Sequence, residues 1–417
     1  MKRSATRVAA TSGGQKTDLC AAVADVAGSA RATIVVGVTH PQTCLVLAGR
    51  LRRLREAGFR VVLVSGPGEL LDSTAAAEGV EAVSIPMERE IAPLADLISL
   101  MRLCRLLHRL KPQVVEFSTP KAGLLGSVAA VLCRVPHRVY MLRGLKLETA
   151  QGLKRRILWA AERIAMACAH RVLCNSKSVR KRTMALALAS AGKLDLLGAG
   201  SSNGVDIQRF SPGPCSLRPQ LGLLAEDLVV GFVGRLTRDK GLPELIEAFE
   251  IIESIEPRAR LLLVGWFDAS EDSLDPELRV RITGHPGIRL TGFVPDTSEY
   301  YRVMDIMVLP TWREGFPNAV LEAQASGIPV ITTLSTGSCD SVVPEVTGLL
   351  VPPGYPGAIV EAVLKLLRNP ERRRRMGRAA RAWARGNYAN EHVLALTVDY
   401  YKGRLAEENR DSRDPKD

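Results

Sequence analysis

The stretch Glu314-Gly315-Phe316-Pro317-Asn318-Ala319-Val320-Leu321-Glu322 decides how this chain is read. An apolar run, Ile306-Met307-Val308-Leu309-Pro310, precedes it and predicts a buried strand. A helical segment follows to Ser326, with Gly327 where a helix stop is expected. Pro329-Val330-Ile331-Thr332-Thr333 predicts the next strand. Strand, loop, helix and strand in this order point to an α/β fold. Pro317 suits the first helical turn, where its missing N–H is not needed. The free N–H groups of that helix start offer a site to anionic oxygens. Two carboxylates, Glu314 on the loop and Glu322 on the helix, flank it. Carboxylates are poor partners for phosphate and good acceptors for sugar hydroxyls. The combination asks for a ligand with phosphate and polyol parts, such as a nucleotide-sugar.

The chain's 417 residues, 46% hydrophobic and 24% charged, suit a soluble globular protein of two or three domains. Eight scattered Cys, with no CxxC pair and no clustered His, read as inert thiols in a reducing cytosol, and no metal site is expected. No apolar run reaches bilayer-spanning length; Ala122 to Cys133, twelve residues with two Gly, predicts a core helix. Net charge is +12 and unevenly placed: residues 31–210 carry 27 Lys and Arg against 13 Asp and Glu. A basic half favours nucleic acid, an anionic membrane surface or a phosphorylated acceptor. Nucleic acid is the poorest of these, because only 5% of residues are aromatic and none interleave with basic runs. Residues 1–30 show no sustained periodicity and read as a flexible tail; the run Leu19 to Ala27 is broken by Asp25, so no leader is expected.

A first domain is expected over 31–210. Thr33 to Val38 predicts its first strand, the loop Thr39 to Thr43 leads to a helix through Ala57, and Arg60 to Ser65 is the second strand. No GxGxxG follows, so no nicotinamide cofactor is indicated. Further strands are expected at Val83–Pro86, Val114–Phe117, His137–Leu142 and Arg171–Ser176, with an amphipathic helix over Leu94–Leu110. Pro212, Pro214 and Pro219 mark a linker over 211–224. A second domain, 225–386, opens with strand Val229 to Arg235 and helix Leu242 to about Ile252. Arg235 and Lys240 at this strand-to-helix turn are placed to neutralise a diphosphate. Glu371 to Asn387, with four consecutive Arg, predicts a solvated basic helix, and 406–417 a disordered charged tail.

Glu314 and Glu322 are separated by seven residues, with Gly-Phe-Pro-Asn between them and Ser326-Gly327-Ile328-Pro329-Val330 beyond. This run resembles the Glu-x7-Glu motif of the retaining glycosyltransferases of family 4. Gly234-Arg235-Leu236 with Lys240-Gly241 is similar to that family's phosphate-binding signature, and Asn203-Gly204-Val205-Asp206 with Phe210 to another of its signatures. The resemblance covers roughly 33–405. It implies the GT-B architecture: α/β, with two Rossmann-like domains facing across a cleft and a last helix, 387–405, returning to the first domain.

The resemblance further implies transfer of a sugar, with retention, from a nucleotide-sugar, expected to be a UDP-sugar. The acceptor would be a glycan or a polyprenyl-diphosphate-linked sugar in capsule or exopolysaccharide synthesis, and the protein cytoplasmic with a peripheral contact to an anionic membrane. Donor contacts fall to Gly234, Arg235, Lys240, Phe293, Val294, Glu314, Gly315, Phe316, Asn318 and Glu322, with Glu314, Arg235 and Lys240 also catalytic. Thr39, Lys121 and Arg143 are the acceptor-side residues. No cofactor is implied. Family members commonly have His where Arg143 stands and near Glu116 and Ser118; this chain departs at both, which leaves no acid/base group assigned. A nucleotide-sugar epimerase or a phosphorylase of the same fold, or a non-catalytic nucleotide-sugar-binding protein, are the alternatives.

Overall fold

A computed structural model describes residues 31–88, 92–269 and 272–411, with side chains to 406. Residues 1–30, read above as a tail, lie outside the described residues. Two sheets organise the chain. The first contains β1 Thr33–Gly37, β2 Arg60–Ser65, β3 Glu81–Ser84, β4 Val114–Ser118, β5 His137–Leu142, β6 Arg171–Cys174 and β7 Leu194–Leu196. Its strands lie in the order β3-β2-β1-β4-β5-β6-β7, all parallel. The second contains β8 Leu228–Val233, β9 Ala259–Val264, β10 Ile288–Leu290, β11 Ile306–Leu309, β12 Val330–Thr333 and β13 Gly348–Val351, in the order β10-β9-β8-β11-β12-β13.

Both sheets reverse direction beside their first strand, between β1 and β4 and between β8 and β11. At such a switch point the loops leaving two neighbouring strands diverge and leave a crevice at the strands' C-terminal edge. Alternation along each strand sends side chains to both faces. In β2, Val61 and Leu63 join the core formed with Leu51, Leu54 and Leu71, while Val62 and Val64 join Leu103, Leu106 and Ala122 on the other side. Both faces are therefore covered by helices, as a parallel sheet rich in branched apolar residues requires.

The chain crosses between domains twice at one place. Val205 N–H donates to the Tyr388 carbonyl at 2.7 Å, and Asn390 N–H donates to the Val205 carbonyl at 2.9 Å. The Asn-Gly-Val-Asp run thus has a structural task. Gly204 has φ +67° and lies so near the Tyr388 carbonyl that a Cβ would stand 2.4 Å from it. The Asp206 carboxylate accepts from the N–H groups of Gln208 and Arg209 at 3.0 and 3.1 Å, turning the chain so that Phe210 is buried edge-on against Tyr301.

Several expectations need correction. The helix expected through Ala57 is a 3-10 turn, Pro41–Leu47, followed by a separate helix, Arg50–Glu56, because Gly49 between them adopts φ +77°. The strand placed at Val83–Pro86 is Glu81–Ser84. The linker 211–224 holds a short helix, Leu217–Gln220, and a buried Leu223. The basic helix, Pro370–Tyr388, is solvated on one side only: Met376, Ala380, Ala384 and Tyr388 are buried, and Arg373 pairs with Asp305 at 3.0 Å. The returning helix spans Asn390–Asp411, so residues 406–411 are helical rather than tail. It packs on Arg50–Glu56 of the first domain, with Tyr401 hydroxyl donating to the buried Glu116 carboxylate. Among the described residues the seven Cys are free thiols, and no helix is long and apolar enough to cross a membrane.

Glu162 offers a test of the first core. It is buried on helix Gly152–Cys168, where the Tyr140 hydroxyl donates to it at 2.8 Å. Burial pushes its carboxyl from an ordinary 4.5 to about 7. As pH rises, the unfolded chain loses this proton first. The stability contributed by the neutral carboxyl is fully present below about pH 4.5 and is lost as pH rises through about 7. Glu162→Gln keeps an acceptor for Tyr140 without titrating. In urea unfolding we expect the variant to be more stable than the parent by about 3 kcal/mol at pH 8 and equal to it at pH 4. A gap that does not change with pH would refute this account.

Candidate active site

Because β8 and β11 are hydrogen-bonded neighbours, the loops that leave them lie side by side. The first carries Gly234 and Arg235 and then a 3-10 turn, Arg238–Lys240, before Gly241 opens helix Leu242–Ile255. The second carries Arg313 to Pro317 and opens helix Asn318–Ala325. Lys240 Nζ donates to Glu314 Oε1 across the two loops. Arg235 Nη1 meets Asp268 Oδ2 at 2.5 Å. Arg313 Nη2 meets Asp239 Oδ2 at 3.0 Å, and the Thr237 hydroxyl donates to the other Asp239 oxygen at 2.6 Å. Three cations and three carboxylates thus interlock. Burial works against the charge on Asp239, but Lys240, Arg313 and Thr237 outweigh it and hold the carboxyl below its ordinary value. Burial likewise opposes the charge on Arg235, and Asp268, Asp239 and Glu314 together raise its pKa.

Helix Asn318–Ala325 begins at Pro317, which occupies the cap position just ahead of the first turn rather than a place within it. No side chain caps the helix, so its first amides face the loop unclaimed by one. Glu322, one turn on, accepts from the buried Tyr301 hydroxyl at 2.8 Å, and burial raises its carboxyl above the ordinary range. Gly234 and Asn318 are half-buried at the mouths of the two loops. Phe293 is 58% exposed and meets Trp266 edge-on at 5.3 Å, giving an aromatic corner beside half-buried Val294. Phe316 does not line the site: its ring is buried against Tyr388 at 5.1 Å and anchors the loop from beneath.

The acceptor-side expectations change more. Thr39 is buried, its hydroxyl 2.6 Å from that of Thr119 and accepting from Ala122 N–H at 3.0 Å; it ties the loop after β1 to the one after β4. Lys121 is paired with Asp96 at 2.7 Å. Glu116, near which the family resemblance expects a histidine, forms a buried ion pair with Arg50. Arg143 lies at the domain junction, its carbonyl against Gly315 of the second domain. Its Nη1 donates to the Ser202 hydroxyl at 2.7 Å, while Nε and Nη2 are buried and find no partner among the described residues. Burial, with the like charge of Arg50, lowers its pKa to about 10 against the opposing pull of Glu116, which leaves it cationic at neutral pH.

The domains touch through these same loops. A Cβ at Gly315 would stand 2.2 Å from the Arg143 carbonyl oxygen, and Gly144, with φ +123°, lies against Gly315 in turn. Arg313 Nε donates to the Thr149 hydroxyl at 2.8 Å, the Thr336 hydroxyl to Glu148 at 2.8 Å, and Ser178 N–H to Asp340 Oδ2 at 2.7 Å. Sequence reasoning missed Asp239, Asp268, Arg313 and Trp266. Arg313 stands directly before Glu314 and could have been flagged by that adjacency; Asp268 and Trp266 carry no local signal. Among the described residues no three His, Cys, Asp or Glu converge as a metal site.

Comparison with known proteins gives this arrangement its class. Residues 216–383 match the family described as glycosyl transferases group 1, and residues 46–200 match the glycosyl transferase 4-like domain. The chain is 37% identical to the capsular polysaccharide biosynthesis glycosyltransferase CapM of Staphylococcus aureus, over 89% of this chain and 97% of that protein. It is 28% identical to an Escherichia coli UDP-Gal:α-D-GlcNAc-diphosphoundecaprenol α-1,3-galactosyltransferase, over 66% of this chain and 71% of that one. The chain belongs to the group 1, 4-like glycosyltransferases. Its fold is GT-B: HepE of Anabaena, solved with UDP-glucose, superposes with a TM-score of 0.75 at 19% identity, over 89% of this chain and 99% of HepE. Sucrose-phosphate synthase of Thermosynechococcus elongatus also gives a TM-score of 0.75, at 21% identity, over 90% of this chain and the whole of that one. The named relatives are transferases and lend the epimerase alternative no support.

Gly315→Ala tests the junction. The added methyl meets the Arg143 carbonyl, so the loop and the first domain must separate. Transferase turnover is expected to fall at least tenfold, with an increased radius of gyration in small-angle scattering. The control is Gly357→Ala, on helix Pro356–Leu367 with nothing within 4 Å, where activity should hold and stability rise slightly. Full activity in Gly315→Ala would show that the contact does not matter.

Proposed function

We propose that this glycosyltransferase moves a hexosyl group, with retention of configuration, from a UDP-sugar to a diphosphate-linked lipid glycan in surface-polysaccharide synthesis. The observation that carries the proposal is the Lys240–Glu314 pair beside the uncapped start of helix Asn318–Ala325. A donor diphosphate is drawn to that helix start and to Arg235 and Lys240. As phosphate takes over Lys240, Glu314 is released to accept hydrogen bonds from the sugar, and Glu322 holds the ribose hydroxyls. In the reaction the bond from the sugar's anomeric carbon to the phosphate oxygen breaks, and one to the acceptor oxygen forms on the same face. The acceptor's proton passes to the departing phosphate. Arg235 and Lys240 stabilise the charge growing there, in a site already fixed before reaction. No metal takes part in this scheme.

The acceptor class draws support from the chain's basic half and from the printed activity of the Escherichia coli relative; the donor class from HepE, solved with UDP-glucose. A panel of UDP- and GDP-sugars screened by thermal shift tests the donor site. A UDP-sugar at a hundred times its Kd should stabilise the protein by about 2.7 kcal/mol, and Glu314→Ala and Glu322→Ala should abolish the shift. The anomeric configuration of the product, read by NMR, tests retention. Inversion, or a shift that survives both substitutions, would sink the scheme; donor binding without transfer to any lipid-linked acceptor would favour a binding protein.

A further inference from the structure

Three helices cover one face of the first sheet: Pro93–Leu110, Pro120–Leu132 and Gly152–Cys168, the middle one packed between the others. Of the 21 exposed large apolar side chains among the described residues, ten lie on these three helices. On Pro93–Leu110 the exposed ridge opens with Leu94, Leu97, Ile98 and Met101, and Leu94 is 81% exposed. On Gly152–Cys168 it opens with Leu153, 72% exposed, and Ile157 one turn on. Spacings of three and four put each set on one side of its helix. Basic residues accompany both ridges: Arg102 and Arg105 follow on the first helix, and Arg155 and Arg156 flank the second, all exposed.

Acids are nearly absent. The three helices hold eight Lys and Arg against two acids, Asp96 and Glu162. Asp96 is paired with Lys121, and Glu162 is buried against Tyr140. An exposed apolar ridge edged by cations and without free acids is complementary to one kind of surface, an anionic lipid bilayer. A protein partner would need matching acids around an apolar centre. A bilayer supplies both chemistries over any area.

Direction adds to this. In a parallel sheet the connecting helices run opposite to the strands, so all three begin at the strands' C-terminal edge, where the loops of the two domains meet. The most exposed apolar residues, Leu94 and Leu153, lie at those helix starts.

We infer that the ridge Leu94–Met101, the start of helix Gly152–Cys168 and the arginines beside them form a docking face for an anionic phospholipid membrane. The face shallowly inserts its apolar residues, and the arginines meet lipid phosphates. It sets the junction between the domains at the membrane surface, so that a lipid-linked acceptor reaches the donor without leaving the bilayer. That last step rests on the acceptor proposed above; docking itself does not.

The test is flotation of the full chain with phosphatidylcholine vesicles, with and without phosphatidylglycerol, at low and high salt. We expect flotation with phosphatidylglycerol, weakened by salt. Arg102→Ser with Arg105→Ser should lower partitioning on the order of fivefold per residue removed. Leu97→Gln with Leu153→Gln should abolish flotation at either salt. Both pairs lie on the surface and should leave the UDP-sugar thermal shift unchanged, so a failed donor site and a failed membrane face read out separately. A chain that stays unfloated on anionic vesicles at low salt overturns the inference. So does a dimer in solution that the Leu97→Gln, Leu153→Gln pair dissociates, which would assign the face to a second copy.

Discussion

A methyl group has no room at position 315, because the carbonyl of Arg143 from the other domain occupies the space. Much of the site follows from that contact. The loop after β11 is held from above by the first domain, from beneath by the Phe316 ring on Tyr388, and from the side by Glu314 N–H donating to the Thr336 carbonyl at 3.0 Å. Held on three sides, the loop presents the Glu314 side chain to Lys240. Tyr388 in turn belongs to the segment whose backbone pairs with Val205 where the chain crosses between domains. The loop that bears the carboxylate and the crossing that joins the domains therefore share one set of contacts.

Charge is handled differently in the two halves. In the second domain Arg235, Lys240 and Arg313 each have a carboxylate partner, so the charges of the two loops nearly balance and hold one another in place. On the function proposed above, a diphosphate exchanges there with a carboxylate instead of meeting unpaired cations, and the side chains need little rearrangement. In the first domain the pair Arg50–Glu116, with Tyr401, is fully buried. Desolvating such a pair offsets much of its attraction, so its value lies in specifying where the returning helix docks rather than in net stability. Arg143 sits beside this pair with two nitrogens unsatisfied, an arrangement that costs free energy unless another group meets them.

The sheets were legible because buried parallel strands read as apolar runs. Nearly every expected strand is present, and the errors are shifts of a residue or two, as at Glu81–Ser84. The two loops proposed for the donor stood out because a helix start, a carboxylate and a Lys lie within short segments, and the fold brings Lys240 and Glu314 of those loops together. What escaped depends on distance in sequence. Asp268 reaches Arg235 from 33 residues away, and Tyr401 reaches Glu116 from 285. No periodicity records such pairs. The partners of Thr39 and Lys121 were hidden for a related reason: a residue on a cleft loop can face inward, and its direction is set by Thr119 and Asp96, which only folding brings near. Phe316 illustrates the same limit within a motif, where one side chain of the signature supports the loop that the others use.

One geometric fact links the two ends of the reaction. Parallel strands with antiparallel crossover helices gather every helix start on the strands' C-terminal edge. In the second domain that edge carries the start of helix Asn318–Ala325, which no side chain caps, and the paired cations Arg235 and Lys240. In the first domain the same edge is where Leu94 and Leu153 stand exposed among arginines. The halves carry opposite balances, since residues 31–210 hold 27 Lys and Arg against 13 Asp and Glu within a chain of net charge +12. The excess of positive charge thus belongs to the domain whose three outer helices carry eight Lys and Arg against two acids, one paired and one buried. Evenly spread cations would attract anions to both domains alike. Concentrated on one, they turn that domain, and not the other, toward an anionic surface.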